Sequence, residues 1–309
     1  MSYEGEMLEA LKMPTRKDVE KALLKALFRN NGVIKEFSSG EHIVMEIADE
    51  FGLIEQQRNA YLETVYRKEN RVKKSLLWHR LLFRAADSLA KQKIVSRPTQ
   101  TLKLTNKREW MLTERGLEKA LKFFSIPSSE KKFLSTKSYE VEKIVKKLKT
   151  KRRPINYDPF DKQKKVRKTT KEITIRTRGF RSVVIEAYEF KCAFCGMKIK
   201  SPDSLRWEVE AAHIVPHKLR GKDDIWNGLA LCHLHHWAFD VGWFTLLDDY
   251  SVQISSKIHL LPSDFGKFGQ IDFIRSFVKS NSIILLPGQK NNYPHRNSIN
   301  WHRKNVFQQ

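Results

Sequence analysis

Between residues 192 and 240 the chain places all three of its cysteines and five of its ten histidines. The segments are Cys192-Ala-Phe-Cys-Gly196, Glu210-Ala-Ala-His-Ile214, Asn227-Gly-Leu-Ala-Leu-Cys232 and His235-His-Trp-Ala-Phe-Asp240. Such a density of thiol and imidazole asks for metal chemistry. Cys192 and Cys195 form a CxxC pair, and Cys232 and His235 a CxxH pair. The four side chains suit a tetrahedral Zn²⁺ site of the Cys3His type, with no cysteine left over. All four positions are filled by protein, so this zinc is expected to be structural. Once His235 is given to zinc, His213, Asn227 and His236 are available for a second task.

The order His213, Asn227, His236 is the signature of the HNH nucleases. The longer pattern resembles the HNH group of restriction endonucleases: Glu-Ala-Ala-His-Ile, Asn-Gly-Leu-x-Leu-Cys and His-His-x-x-Phe-Asp-x-Gly, completed here by Gly242. The likeness runs upstream through Arg178-Gly-Phe-Arg181 and Ala187-Tyr188. Downstream it passes through Leu285-Leu-Pro287 to Trp301-His-Arg303 and Phe307, covering about residues 176–309. It implies a ββα-metal fold, in which two short strands (expected at 205–214 and 227–231) and a helix from about His233 hold one divalent cation, Mg²⁺ or Mn²⁺, against the scissile phosphate. It also implies the roles: His213 as general base, Asn227 to hold the loop and orient that base, and His236 as ligand to the cation. Such a cation polarises the phosphate and stabilises the leaving oxygen, while a neutral imidazole takes the proton of the attacking water.

One departure from the pattern matters. Many HNH enzymes place Asp or His immediately before the base to bind the metal, and this chain has Ala212 there. Two carboxylates could compensate. Strand alternation puts Glu210 on the side of Ala212, and Asp240 follows His236 by about one helical turn. Glu210 is the favoured ligand or ligand-supporting group, whereas Asp240 could equally brace His236 or the loop after it. His217 and His233 read as incidental, and Trp301-His302-Arg303 as packing of the C-terminal segment.

The elements that must carry this chemistry belong to an α+β chain of 309 residues, long enough for two domains. Thr15 and Asp18 mark a helix start, followed by the periodic Val19, Leu23, Leu24, Leu27 and Phe28. Further helices are expected over 41–50 and 71–91. Two short strands around a basic tip at Asn106-Lys-Arg108 then lead to another helix. That order predicts a winged helix-turn-helix over 1–126. It resembles the N-terminal domain of Mrr-type restriction enzymes in its Trp110-x-Leu-Thr-Glu-x-Gly116 stretch. Residues 127–172 read as a basic amphipathic helix (138–149) and a linker holding Lys151-Arg-Arg-Pro154 and 162–168, and residues 173–309 as the nuclease domain.

The net charge of +23 points to a polyanionic partner. It is clustered, with 18 Lys/Arg against 5 Asp/Glu between Lys131 and Arg178. Lys73, Lys74, Arg80, Arg84, Lys107, Arg108, Lys151, Arg152 and Arg153 are the candidate DNA contacts, the linker residues through phosphate alone. The sequence offers no lipidation motif, leader or apolar span, so a cytosolic location is expected. The expected function is a metal-dependent double-stranded DNA endonuclease of restriction type, targeted by the winged helix; the resemblance implies 5′-phosphate and 3′-hydroxyl ends. A homodimer is expected because one ββα-metal site handles one strand at a time. Two alternatives stand beside it: a modification-dependent nuclease that senses a methylated base, and a zinc-stabilised DNA-binding regulator whose nuclease site has lapsed.

Overall fold

The computed structural model describes residues 3–37, 42–66, 71–162, 169–257 and 283–309. It divides into two compact units: residues 1–131 with 136–143, and residues 132–135 with 144–309. Among the described residues no helix is long and apolar enough to cross a membrane.

The first unit contains α1 (Tyr3–Ala10), α2 (Arg16–Arg29), β1 (Val33–Lys35), α3 (His42–Glu50), α4 (Glu55–Asn59), β2 (Tyr61–Tyr66), β3 (Arg71–Leu76), α5 (Leu77–Lys91), β4 (Val95–Ser96), α6 (Pro98–Thr105), β5 (Glu109–Leu112) and α7 (Glu114–Phe123). Helix α2 starts where the Thr15 hydroxyl accepts the Asp18 N–H, and its stripe Val19, Leu23, Leu24, Leu27 and Phe28 is buried. Helix α5 packs against α2 and buries Leu77, Trp78, Leu81, Leu82, Ala85, Ala86 and Leu89. Strands β1, β5 and β4 form an antiparallel sheet in that order. The Trp110-to-Gly116 stretch has a physical basis here. Trp110 and Leu112 are buried, Thr113 caps α7 by accepting the Gly116 N–H, and a Cβ at Gly116 would stand 2.0 Å from the Ile94 carbonyl.

Two expectations are corrected in this unit. Residues 71–76 are not the first turns of a long helix but β3, paired with β2 so that Val72 faces Val65 and Lys74 faces Glu63. The helical apolar period begins only at Leu77, and Arg71-Val-Lys-Lys-Ser75, with Val72 its single apolar residue, carries no helical stripe. Between β4 and β5 stands the two-turn α6 in place of a bare basic tip. It starts with Pro98 in its first turn and ends at Asn106 in the left-handed conformation.

The division between units falls within α8 (Tyr139–Lys149). The second unit then holds α9 (Thr170–Ala187), β6 (Glu210–His213), β7 (Gly228–Leu231), α10 (His233–Asp240), β8 (Phe244–Leu246), β9 (Val252–Ile254) and a C-terminal helix (Arg296–Asn305). A capping box opens α9: the Thr169 hydroxyl accepts the Glu172 N–H and the Glu172 carboxylate accepts that of Thr169. Its Phe180, Val183 and Val184 form a core with Ala212 of β6, Leu229 and Leu231 of β7, and Phe239 of α10. Gly228 lets α9 approach, since a Cβ there would lie 2.5 Å from Val184. The strands expected at 205–214 and 227–231 are shorter, at 210–213 and 228–231; the helix begins at His233.

Residues 151–160 pack onto this second unit rather than forming a free linker. Tyr157 is buried, Phe160 bridges to Gly221, and the Pro159 carbonyl accepts the Lys222 N–H. Of the second basic run, residues 163–168 lie outside the described residues.

Candidate active site and zinc cage

Strands β6 and β7 run antiparallel with Ala212 opposite Leu229 and His213 opposite Gly228. Ala212 is completely buried in the core, so the position that carries a metal ligand in many HNH enzymes serves packing here. His213 closes β6. Its ring stacks on Phe180 of α9 at 4.0 Å between centroids with planes 16° apart, and its Nε2 lies 2.8 Å from Oδ1 of Asp223. The Asp223 side chain is only 8% exposed and its second oxygen accepts from Arg176 of α9. Burial pushes the Asp223 carboxyl up, but the hydrogen bond from His213 and the Arg176 charge outweigh it and hold the group below its ordinary range. Arg176 also reaches His217, its Nη2 standing 3.1 Å from the ring Nε2. Neither Asp223 nor Arg176 was among the residues the sequence singled out. Only the acidic pair Asp223-Asp224 between the His and Asn segments hinted at them.

Asn227 is fully buried and pins the loop that follows β6. Its Oδ1 accepts the Val215 N–H at 2.9 Å, and its Nδ2 donates to the carbonyls of Val215 and Lys222, both at 3.0 Å. Its side-chain hydrogen bonds go to this loop and not to His213. The loop ends at the residue before Asp223, so Asn227 acts on the base through that turn. Gly221 is required inside it because a Cβ would stand 1.8 Å from the Val215 carbonyl oxygen.

His236, in the first turn of α10, is bracketed by two carboxylates. Its Nδ1 is 3.1 Å from Oε2 of Glu210, and its Nε2 is 3.6 Å from Oδ2 of Asp240. The hydrogen bond from His236 holds the Glu210 carboxyl below its usual range, against the opposing effect of burial. Asp240, whose side chain is 54% exposed, is pushed up by partial desolvation, against the pull of His236, Lys218 and His213, with Glu210 pushing the same way. His233 lies beside them, its Nδ1 3.1 Å from Glu208 and its Nε2 3.6 Å from Glu210.

The four residues expected to bind zinc come together. Among the described residues, Cys192, Cys195, Cys232 and His235 form one group whose donor atoms all lie within 4.8 Å of one another. The Cys192–His235, Cys195–Cys232 and Cys232–His235 edges are 3.8, 4.0 and 2.9 Å. A tetrahedron with Zn–S near 2.3 Å has edges of about 3.5–3.8 Å, so three thiols and one imidazole converge at about the spacing zinc needs, the Cys232–His235 edge being shorter than it. Gly196 supplies the left-handed turn (φ +78°) after the CxxC pair, and Phe194 stacks on the His235 ring at 4.2 Å.

Most of the candidate DNA contacts are engaged within the protein. Arg80 and Arg84 both pair with the buried Glu4, at 2.9 and 2.7 Å. Lys74 pairs with Glu63 across the β2–β3 ladder, and Arg108 with Glu36. Lys73 lies in β3 opposite Thr64. Lys151 pairs with Asp224, and Arg153 donates to the carbonyls of Tyr293 and Pro294. Through these contacts Lys151 and Arg153 fasten the chain entering the second unit. Lys107 and Arg152 are exposed.

A family model described as HNH endonuclease matches residues 192–247, a segment that contains the zinc cage, His213, Asn227 and His236. The chain therefore carries an HNH endonuclease domain. Among solved structures, a modification-dependent TagI restriction endonuclease is similar at 20% identity, with a TM-score of 0.29, over 41% of this chain and 37% of that one. The chain spans little more than a third of that protein, and the likeness is too slight to transfer anything from it. Among curated proteins none matches.

Proposed function

We propose that the protein is a metal-dependent DNA endonuclease of restriction type, hydrolysing phosphodiester bonds at the site formed by β6, β7 and α10. The observation that carries this reading is the match of residues 192–247 to the HNH endonuclease model, a segment in which His213 ends β6, Asn227 pins the loop after it and His236 sits in α10 between Glu210 and Asp240. His236 Nε2 and Asp240 would hold a divalent cation, with Glu210 fixing the ring through Nδ1. A nitrogen and a carboxylate suit Mn²⁺ better than an all-oxygen site would, while Mg²⁺ would rely on phosphate and water oxygens for the rest of its shell. When bound, the cation supplies charge stabilisation at the phosphate. His213 removes the proton from water, and Phe180 and Asp223 hold its ring.

The element order of the first unit, with a β1-β5-β4 sheet, supports a winged-helix module that brings the nuclease to double-stranded DNA. Exposed Lys107 and Arg152 are the remaining candidates for phosphate contact. Digestion of supercoiled plasmid with Mg²⁺ or Mn²⁺ tests the reading. Wild type nicks or linearises it, chelation stops the reaction, and His213→Ala loses ~10²–10⁴-fold in rate while retaining its far-UV spectrum. Cleavage by His213→Ala at the wild-type rate overturns it. Running methylated and unmethylated plasmid side by side shows whether a modified base is required.

A further inference from the structure

Asp223 is a nearly buried carboxylate whose two oxygens are divided between His213 and Arg176. No residue of the His-Asn-His pattern accounts for it. We propose that Asp223 is the positioning residue of the nuclease: it accepts the Nε2–H of His213, so that Nδ1 is the nitrogen that receives the proton, and Arg176 holds Asp223 in place. This rests on the reading of His213 as the base.

The geometry leaves one consistent tautomer. An ionised carboxylate has no proton to donate, so a 2.8 Å contact with Nε2 requires that nitrogen to carry hydrogen. Phe180 covers one face of the ring, which restricts rotation that would exchange the two nitrogens. In the reaction, the water oxygen bonds to phosphorus and its proton passes to Nδ1. The P–O3′ bond breaks with its electron pair going to O3′, which takes a proton from solvent. The imidazolium then lies against the Asp223 carboxylate, which stabilises the charge without becoming protonated, as in other His–Asp pairs. The charged groups facing this pair are Arg176 from α9, His217 from the loop with its ring 6.0 Å from that of His213, and Asp240 from α10. The Tyr157 phenol, held protonated by burial and by Asp224, lies within electrostatic reach of Asp223.

The test has two arms on the full-length protein. Long-range ¹H–¹⁵N spectra of wild type, with the His213 signal assigned by its absence from His213→Ala, are expected to show the Nε2–H tautomer; an Nδ1–H tautomer overturns the proposal without any variant having to fold. The second arm is the rate of plasmid cleavage with MnCl₂. In Asp223→Asn the rate should fall by ~10²-fold or more, within the range of general-base assistance, and Asp223→Glu, which keeps a carboxylate to accept the Nε2–H, should recover part of it. A purely structural role for Asp223 would leave Asp223→Glu no faster than Asp223→Asn. If His213→Ala is inactive while Asp223→Asn keeps its rate, the positioning role is wrong and the base assignment survives. If His213→Ala is active, the base assignment itself has failed.

Discussion

At His236 the two ring nitrogens face different carboxylates, and a carboxylate bonded to one nitrogen is poorly placed to share a cation held at the other. On the proposed reading Glu210 supports the ring and Asp240 is the ligand, where the family pattern favoured Glu210 as ligand or supporting group. Metal titrations of plasmid cleavage separate the two. Asp240→Asn should raise the concentration of Mg²⁺ or Mn²⁺ needed for half-maximal rate more than Glu210→Gln does, the latter being limited to the ~10–100-fold typical of groups that orient a ligand. A larger shift in Glu210→Gln would return the ligand role to Glu210. The zinc cage gives an independent prediction. Cys195→Ala should reduce the zinc content from about one ion per chain to a small fraction, measured by atomic emission. It should also lower the melting temperature, because the binding free energy of structural zinc is folding free energy. An unchanged melting temperature would remove zinc from the account of stability.

Elements set these side chains by close approach. Gly221→Ala should push the Val215 carbonyl out of the loop that Asn227 pins, costing about 1–3 kcal/mol in urea denaturation, and cleavage should fall with it because the same loop precedes Asp223. The C-terminal helix contributes in another way. His302 is buried, stacks on Phe239 at 3.7 Å and donates from Nε2 to the Phe239 carbonyl, and burial lowers its pKa to about 4. The unfolded chain, with an ordinary value near 6.5, therefore takes up the proton first. The stability is whole above about pH 6.5 and is lost as pH falls towards 4, by on the order of 3 kcal/mol in total. In His302→Phe the slope of unfolding free energy against pH in that window should fall by up to about 1.4 kcal/mol per pH unit. Donors spaced within a few residues were legible in the sequence, since Cys192, Cys195, Cys232 and His235 need only two short knuckles to meet. Asp223 was not, because its contact with His213 depends on a turn whose shape is set by Gly221 and Asn227. The start of α5 was misread for a related reason: β3 exists by pairing with β2, and local periodicity does not report a partner strand. Gly242 stood in the motif without a reason until its φ of +83° and the Val306 carbonyl, 2.2 Å from where a Cβ would be, supplied one.

Over the whole molecule the charge of +23 is less available than its size suggests. Arg80, Arg84, Lys74 and Arg108 each have an acidic partner, so DNA affinity should depend on fewer side chains than the composition implies. Measured as log K against log salt concentration, Arg152→Ala should lower the slope by about 0.9 if it removes one phosphate contact. Lys151→Ala should instead lower the melting temperature and leave the slope nearly unchanged; a slope loss in Lys151→Ala with no thermal effect would reinstate it as a phosphate contact. Finally, His235 and His236 are successive residues of one short helix, the first held by thiolate neighbours and the second beside the hard-ion carboxylates. With zinc and a hard cation bound as proposed, two coordination spheres of opposite chemical taste would share a single lever. A larger soft ion in the cage would lengthen the bonds to sulfur, tilt that lever and be felt as a change of rate at a centre it never touches, so the speed of cutting should be adjustable by metal exchange alone, with every residue of the chain left as it is.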